Sequence, residues 1–582
     1  MYQGSGGWIV SSGGGPPSAE LYQFATAASD GGGAPPARFE LGDIRRLGQR
    51  LLRAAATSAR VKPPVTVAQV LAGHLGAGAP AIPVVGETWP SYEHVNIQVA
   101  LNRWLARPGR QHSLVGITGF QHRMFSLADL AQPEMAEHGP GVGSVAMTSL
   151  PIGPGGATMS CVRCGLYLVI DADADAVAGA DAGAGAGGYA DADAVAGAGA
   201  GAGVTDAGAG ADAVADAGAG PRVGLLLREG DAHGPQQGLV VEVASADSER
   251  SAAILAELRA LALVHNVFRG QVLAFGSEMF GGFGPGDAPV TFRERPSVGP
   301  ESLVLPAGTL ELIEQQVIGV ARHRDRLLAS GQHLKRGLLL YGPPGTGKTH
   351  TVRYLLSQLD DVTAVILSGN ALVFVGQACS IARALQPALV IIEDVDLIAE
   401  ERGMHPGQHP LLFQLLNEMD GLGDDVDVTF VLTTNRADLL EPALAARPGR
   451  IDEAVELPLP DEGGRLRLLE LYKGPMELRL DDAEAVVGRT GGVTASFLKE
   501  VLRRAALHAA GGLEEHGAAG SDVGPLTVTD VDVHAALDQL LDERSRITRV
   551  LLGGERVGQP SQPWLHGLPP GAGPASGPSP YA

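Results

Sequence analysis

From about residue 297 to residue 460, short apolar runs alternate with segments whose apolar residues recur every three or four positions. The runs Gly337–Tyr341, Thr363–Leu367, Ala388–Ile392 and Val428–Leu432 predict buried strands. The third is apolar throughout, as expected of a central parallel strand covered on both faces. Between them, Lys348–Leu359 predicts a helix with Val352, Leu355, Leu356 and Leu359 on one side, and Gln377–Leu385 predicts another. A third carries Leu412, Leu415, Leu416 and Met419 as a core stripe. Further on, helices are predicted over Asp461–Leu471, over Ser496–Ala509 with Phe497, Val501, Leu502 and Ala505 inward, and after a capping Thr529, with Val533, Leu537, Leu540 and Leu541 inward. Upstream, Ile44, Leu47, Leu51 and Leu52 mark a helix whose wet side holds Arg45, Arg46, Arg50 and Arg53. Val95–Leu105 and Ser248–Val264 (stripe Ile254, Leu255, Leu258, Leu261) predict helices, and Val223–Leu227, Leu239–Val243 and Val267–Leu273 predict strands. Residues 39–170 and 222–296 therefore read as an α+β region in two pieces.

The pieces are separated by an Ala/Gly/Asp repeat at 171–221, which offers almost no large side chain to bury and reads as a flexible linker. The chain has 582 residues with Gly 81 and Pro 39. Glycine and proline also dominate 1–38, read as a loose arm, and 553–582, read as a disordered tail. The formal net charge is −22, and the repeat supplies nine aspartates with no Lys or Arg, so the remainder is still acidic. That balance disfavours nucleic acid and anionic membranes as partners. No apolar run approaches a membrane span of ~20 residues, and the N-terminus lacks the basic start and apolar core of a secretory leader. Cys161, Cys164 and Cys379 are the only cysteines, too few for a disulfide scaffold; a cytoplasmic location is expected. Cys161 and Cys164 form half of a zinc-ribbon spacing without its partner pair and read as structural thiols.

The candidate chemistry sits at the ends of the predicted strands. Gly342-Pro343-Pro344-Gly345-Thr346-Gly347-Lys348-Thr349 lies between a strand and a helix, as a phosphate-binding loop must. Its glycines let backbone N–H groups converge on phosphates, and the helix start adds positive potential. Lys348 would reach the β- and γ-phosphates, and the Thr349 hydroxyl would ligate Mg²⁺. Glu393-Asp394-Val395-Asp396 ends the apolar strand, placing one carboxylate to hold the metal and the next to activate water. Thr433-Thr434-Asn435 brings polar groups to the end of the neighbouring strand, and Arg447-Pro448-Gly449-Arg450 sets two guanidinium groups on a turn, suited to charge on a transferring phosphoryl group.

Together with Leu415-Leu416-Asn417-Glu418-Met419-Asp420-Gly421 and Ile451-Asp452, these motifs make residues 300–550 resemble the AAA family of hexameric ATPases. The resemblance implies an α/β fold: a P-loop parallel sheet with flanking helices in 297–460 and a small α-helical lid in 461–552. It implies ATP and Mg²⁺ as ligands, with Thr349 and Glu393 at the metal, Asp394 as the base and Asn435 as sensor. Arg447 and Arg450 match the fingers that reach a neighbour's ATP; the turn before them looks one residue longer than usual. Thr494 and Ala495, in Gly492-Val493-Thr494-Ala495, match the lid turn over adenine. Phe374, Val375 and Gly376 resemble the pore loop that grips polypeptide; the alternative is that Phe374 is a core aromatic. The Glu-Asp order is reversed, as in the mitochondrial Rieske-protein translocase branch. The implied function is ATP-driven remodelling or unfolding of a protein client by a ring oligomer, with the N-terminal half choosing the client.

Three other readings follow from the same residues. An ATP-gated assembly scaffold with weak hydrolysis fits the reversed acidic pair. A GTPase is suggested by Asn435-Arg436-Ala437-Asp438, but Arg436 stands where that motif has Lys. A DNA clamp loader or helicase conflicts with the acidic charge.

Overall fold

The computed structural model describes residues 65–76, 79–119, 124–171, 220–230, 238–276, 290–396, 410–421, 423, 426–438, 450–515 and 525–541. The arm 1–38, the helix expected around 44–53, the Ala/Gly/Asp repeat, Arg447 and the tail 553–582 lie outside the described residues.

The first sheet contains β1 (Val84–Trp89), β2 (Arg110–Thr118), β3 (Gly141–Gly143), β4 (Ala146–Pro151), β5 (Thr158–Asp171), β6 (Arg222–Glu229) and β7 (Leu239–Ser245). Its order is β1-β7-β6-β5-β2-β3, with β4 also on β5, and every pairing is antiparallel. The central strands read as unbroken apolar runs because helices cover both faces. Leu225 and Leu227 pack with Ile97, Trp104, Ile254 and Leu258 of the helices His94–Leu105 and Ser248–Val264. Leu226 faces the other way, toward Val67 and Leu71 of the helix Val67–Leu75. The long Ala/Gly/Asp run joins β5 to β6, which pair directly; Asp171 donates its N–H to the Pro221 carbonyl at 3.1 Å. The two α+β pieces are thus one sheet.

The second sheet is β14-β10-β13-β12-β11-β8-β9, built from β8 (Val272–Phe275), β9 (Val290–Arg293), β10 (Arg336–Tyr341), β11 (Thr363–Ser368), β12 (Ala388–Glu393), β13 (Val428–Thr434) and β14 (Glu453–Glu456). All are parallel except the edge strand β9. Alternate residues of β12 face opposite layers. Val390 and Ile392 meet the helices Val375–Ala384 and Pro410–Asp420, while Leu389 and Ile391 meet the helix Lys348–Ser357 and the segment 313–318. This topology corrects the boundary expected at 296/297. Val272–Phe275 and Val290–Arg293 belong to this sheet because β8 pairs with β11, and residues expected to begin a strand at Val267 form a turn instead.

The third region packs the helices Glu462–Tyr472, Ala483–Arg489, Ala495–Glu515 and Asp530–Leu541 around Phe497, Val501, Leu502, Ala505, Val533 and Leu537. It is not purely helical: β15 (Glu477–Arg479) pairs in parallel with β16 (Thr527–Thr529). Among the described residues no helix is long and apolar enough to cross a membrane. Cys161 and Cys164 are both buried on β5, on either side of a β-bulge, and pack in different core clusters.

Candidate nucleotide-binding site

β10 delivers the phosphate loop at the carboxyl end of the parallel sheet, where the chain leaves to cross over to β11 on the far side of β12 and β13. Open α/β sheets bind ligands at such a point. Gly342, Gly345 and Gly347 have φ of 144°, 80° and 106°, which side chains rarely adopt. A Cβ on Gly342 would lie 2.2 Å from the Leu457 carbonyl oxygen. The turn brings Lys348 back over its own loop, where Nζ donates to the carbonyls of Gly342 (2.8 Å) and Pro343 (2.9 Å), and the Thr346 hydroxyl donates to Pro343 O at 3.0 Å. Burial lowers the Lys348 pKa to about 8, partly offset by the charges of Asp394 and Asp396.

Strand register brings the other groups to the same end. Tyr341 is level with Thr434, and Ser368 with Glu393. Glu393 sits close enough to Thr349 for the hydroxyl to favour the carboxylate, but burial dominates and raises the Glu393 pKa, with the neighbouring Asp394 charge adding to it. Asp394 takes a φ of 52°, rare for a residue with a side chain. Its N–H donates to Thr433 Oγ1 at 3.1 Å, and Asn435 Nδ2 donates to its Oδ1 at 3.2 Å. The backbone twist therefore separates the acidic neighbours, Glu393 toward Thr349 and Asp394 toward Asn435.

Asp396 does not join them. Its Oδ1 accepts from the Thr434 hydroxyl (2.9 Å) and the Asn435 N–H (3.2 Å), and it is 7% exposed. It locks the end of β13 to the end of β12. Thr433 and Thr434 hold the acidic residues: Thr433 Oγ1 accepts from the Asp394 N–H and the Thr434 hydroxyl donates to Asp396. This positioning role of Asp396 was missed from sequence, where the acidic run gives residue types but not directions.

The lid meets the loop directly. Ser496 donates its N–H to Gly345 O at 3.4 Å, and a Cβ on Gly345 would lie 3.1 Å from Thr494 Oγ1. Thr494 is fully buried, and its hydroxyl accepts from the Phe497 N–H at the start of the helix Ala495–Glu515; Ala495 follows it. Thr494 and Ala495 thus border the loop from the lid side.

Two of the expected site residues are engaged within the chain. Arg450 is 6% exposed and ion-paired with Asp420, so its guanidinium is committed inside its own chain rather than presented as a free finger. It lies beside Gly337, at the start of β10, roughly 16 Å along that strand from the phosphate loop. Phe374 stacks on Phe275 with ring centroids 5.6 Å apart, and Val375 is 3% exposed, so both are packing residues; Gly376 lies in the helix Val375–Ala384, against Gln414. The exposed apolar side chain of this turn is Val373. The Phe374 aromatic is held because β8 brings Phe275 into this sheet, a pairing not legible in the sequence.

Residues 338–459 match the family described as "ATPase family associated with various cellular activities (AAA)". They form an AAA ATPase domain. Among similar proteins, an ATP-dependent zinc metalloprotease FtsH 3 of Sphaerobacter thermophilus is 34% identical over 283 residues, 46% of this chain and 54% of that protein. A proteasome-activating nucleotidase of Methanocaldococcus jannaschii is 32% identical over 270 residues, 43% and 59% of the two chains. An ATP-dependent zinc metalloprotease FtsH of Mycobacterium tuberculosis is 33% identical over 249 residues, 40% and 32%. The chain spans from about a third to three-fifths of the length of these curated relatives. The AAA domain's ligands, ATP and Mg²⁺, fit the residues present. The loop presents a buried cation, three glycines in left-handed geometry and a hydroxyl–carboxylate pair, Thr349 and Glu393, able to hold a hard divalent ion.

Proposed function

We propose that this chain hydrolyses ATP and uses the cycle to remodel or unfold a protein client as a ring of identical subunits. The supporting observation is the convergence of Lys348, the Thr349–Glu393 pair and the Asp394–Asn435 pair at one end of the parallel sheet. Lys348 and the loop N–H groups bind the phosphates, and Thr494 and Ala495 bound the site from the lid. Thr349 and Glu393 would hold Mg²⁺, which supplies charge neutralisation at the phosphate oxygens. Asp394 accepts a proton from water as the water oxygen bonds to the γ-phosphorus and the bond to the β-bridging oxygen breaks. Asn435 keeps the Asp394 carboxylate aimed. This assignment gives the reversed Glu-Asp order a physical sense: the longer side chain goes to the metal hydroxyl and the shorter to the water.

Arg450 cannot serve its own loop from the far end of β10. Freeing a buried, ion-paired guanidinium is costly. Arg447 is therefore the first candidate for a finger reaching a neighbour, with Arg450 held by Asp420. Coupling to protein work rests on the similarity to a proteasome-activating nucleotidase and to ATP-dependent metalloproteases, and the N-terminal sheet is the client-choosing part. The packing of Phe374 favours a second reading, an ATP-gated scaffold with weak hydrolysis.

The test is Asp394→Asn. ATP binding should persist while turnover falls by ~10²–10⁴-fold, the usual worth of a general base. Normal turnover in the variant would remove Asp394 from the mechanism. Slow turnover of the wild type, with ATP-dependent assembly and no unfolding of any protein, would select the scaffold.

A further inference from the structure

The helix that carries Lys348 and Thr349 is held at its far end by a side chain no motif predicts. Arg295 lies on the strand-free segment after β9. Its Nη1 donates to the carbonyls of Leu356 (2.9 Å) and Leu359 (2.7 Å), in the last turn of the helix Lys348–Ser357 and just beyond it. Its Nη2 donates to the carbonyls of Val362 and Gly270, both at 2.9 Å. One planar fork thus joins the end of the phosphate-loop helix, the residue before β11, and the turn by which the chain enters this sheet from the N-terminal region. At the same end Ser357 Oγ lies 2.7 Å from the carbonyls of both Val298 and Tyr354, so its one proton can tie the helix end to Val298 or stay within the helix.

We infer that Arg295 is a positioning residue for the nucleotide site: its four-carbonyl clamp, with Ser357 beside it, fixes the helix whose other end presents Lys348 and Thr349. The inference rests on the ATP-binding reading above. The last carbonyls of a helix have no intrahelical partners, and a cation there complements the helix dipole. Arg suits the task because its donors are set in a rigid plane, whereas Lys offers a single point charge that cannot meet two pairs of carbonyls. The helix is a single ten-residue rod. A shift or tilt at its end is therefore carried to the loop, whose backbone is closely constrained by Leu457 and Ser496. Phosphate contacts are made before and during phosphoryl transfer, so loosening the rod should raise KM more than it lowers kcat.

The experiment compares Arg295→Lys and Ser357→Ala with the control Arg269→Lys. Arg269 also spends its guanidinium on carbonyls, those of Gln386 and Leu263, in the same junction, but does not touch the helix. For Arg295→Lys, KM and the Kd for ATP should rise by about tenfold with kcat changed far less, well inside the ~100-fold that a 1 Å misplacement can cost. Ser357→Ala should move both in the same direction by less, and Arg269→Lys should move neither. A folded Arg295→Lys with wild-type KM and Kd overturns the inference, as does an equal rise in Arg269→Lys. Should Arg295→Lys fail to fold, Ser357→Ala with wild-type KM and Kd overturns it. A wild-type chain that binds no ATP would sink the functional reading and this inference together, whereas normal ATP binding in every variant sinks only this one.

Discussion

Lys348 shows how a residue's neighbourhood sets its chemistry. Its ammonium is buried against backbone carbonyls, and burial brings its pKa down to about 8. An anionic phosphate favours the charged form and raises that value. ATP binding should therefore take up a proton above pH 8, and affinity should be flat below that pH and weaken as pH climbs through the window. Calorimetric titration at pH 8–9 in buffers of different ionisation heat reads this directly; heats independent of buffer would count against it. Asp396 makes the complementary point. Asp396→Ala strips the acceptor from the Thr434 hydroxyl and the Asn435 N–H, which should cost ~1–3 kcal/mol of stability and lower kcat by misplacing Asn435. Asp396→Asn keeps an acceptor oxygen and should restore most of kcat, a rescue visible in steady-state rates. Residue types at this site were legible in the sequence. Their aim was not, because Glu393, Asp394 and Asp396 are separated by a φ of 52° at Asp394 and by bonds to β13, a strand more than thirty residues away.

At the scale of elements, the periodic stripes placed the helices well because apolar spacing and burial are the same fact seen twice. Phe497, Val501, Leu502 and Ala505 are all buried in the lid core. On the wet side of that helix, Glu500 is bonded by Arg503 and Arg504, which pull its pKa down to about 2. A carboxylate depressed on folding stabilises the folded state above its unfolded pKa, and that contribution disappears as pH falls toward 2. Arg503 is mostly exposed and Glu500 and Arg504 are half-buried on the helix surface, where pairs of this i,i+3 and i,i+4 kind contribute little, so Glu500→Gln should cost about 1 kcal/mol at neutral pH. Thermal melts of the two proteins should converge near pH 2; a gap that persists there would mean the loss is not ionic. Gly345 tests the contact between loop and lid. Gly345→Ala must hold a left-handed backbone, at ~1–2 kcal/mol, and push a Cβ toward Thr494 and Ser496. Reduced ATP affinity with an intact lid melt is expected; unchanged affinity would show that the lid turn yields freely. The short parallel pair β15–β16 escaped sequence reading because three-residue strands carry too little periodicity to register.

For the whole molecule, the decisive arrangements are long-range. β5 and β6 pair directly although the Ala/Gly/Asp run joins them. Replacing residues 172–219 with a short turn should leave melting temperature and ATP turnover unchanged or slightly raise stability, since a shorter loop costs less closure entropy; a lower melting temperature would show that the run contributes packing. On the proposed ring assembly, mixing in Arg447→Ala subunits should lower the turnover of wild-type neighbours, read from activity against mixing ratio; strict proportionality to the wild-type fraction would argue that no residue is shared between subunits. The amino-acid sequence by itself determined the phosphate loop, the strand–helix alternation and the burial stripes, because each depends on residues close in the chain. Tertiary structure alone decided that β8 and β9 join the nucleotide sheet, that Phe374 packs on Phe275, that Arg450 pairs with Asp420, and that Arg295 clamps the loop helix. Each of those depends on strand pairing or side-chain reach across distant segments, for which local pattern holds no signal.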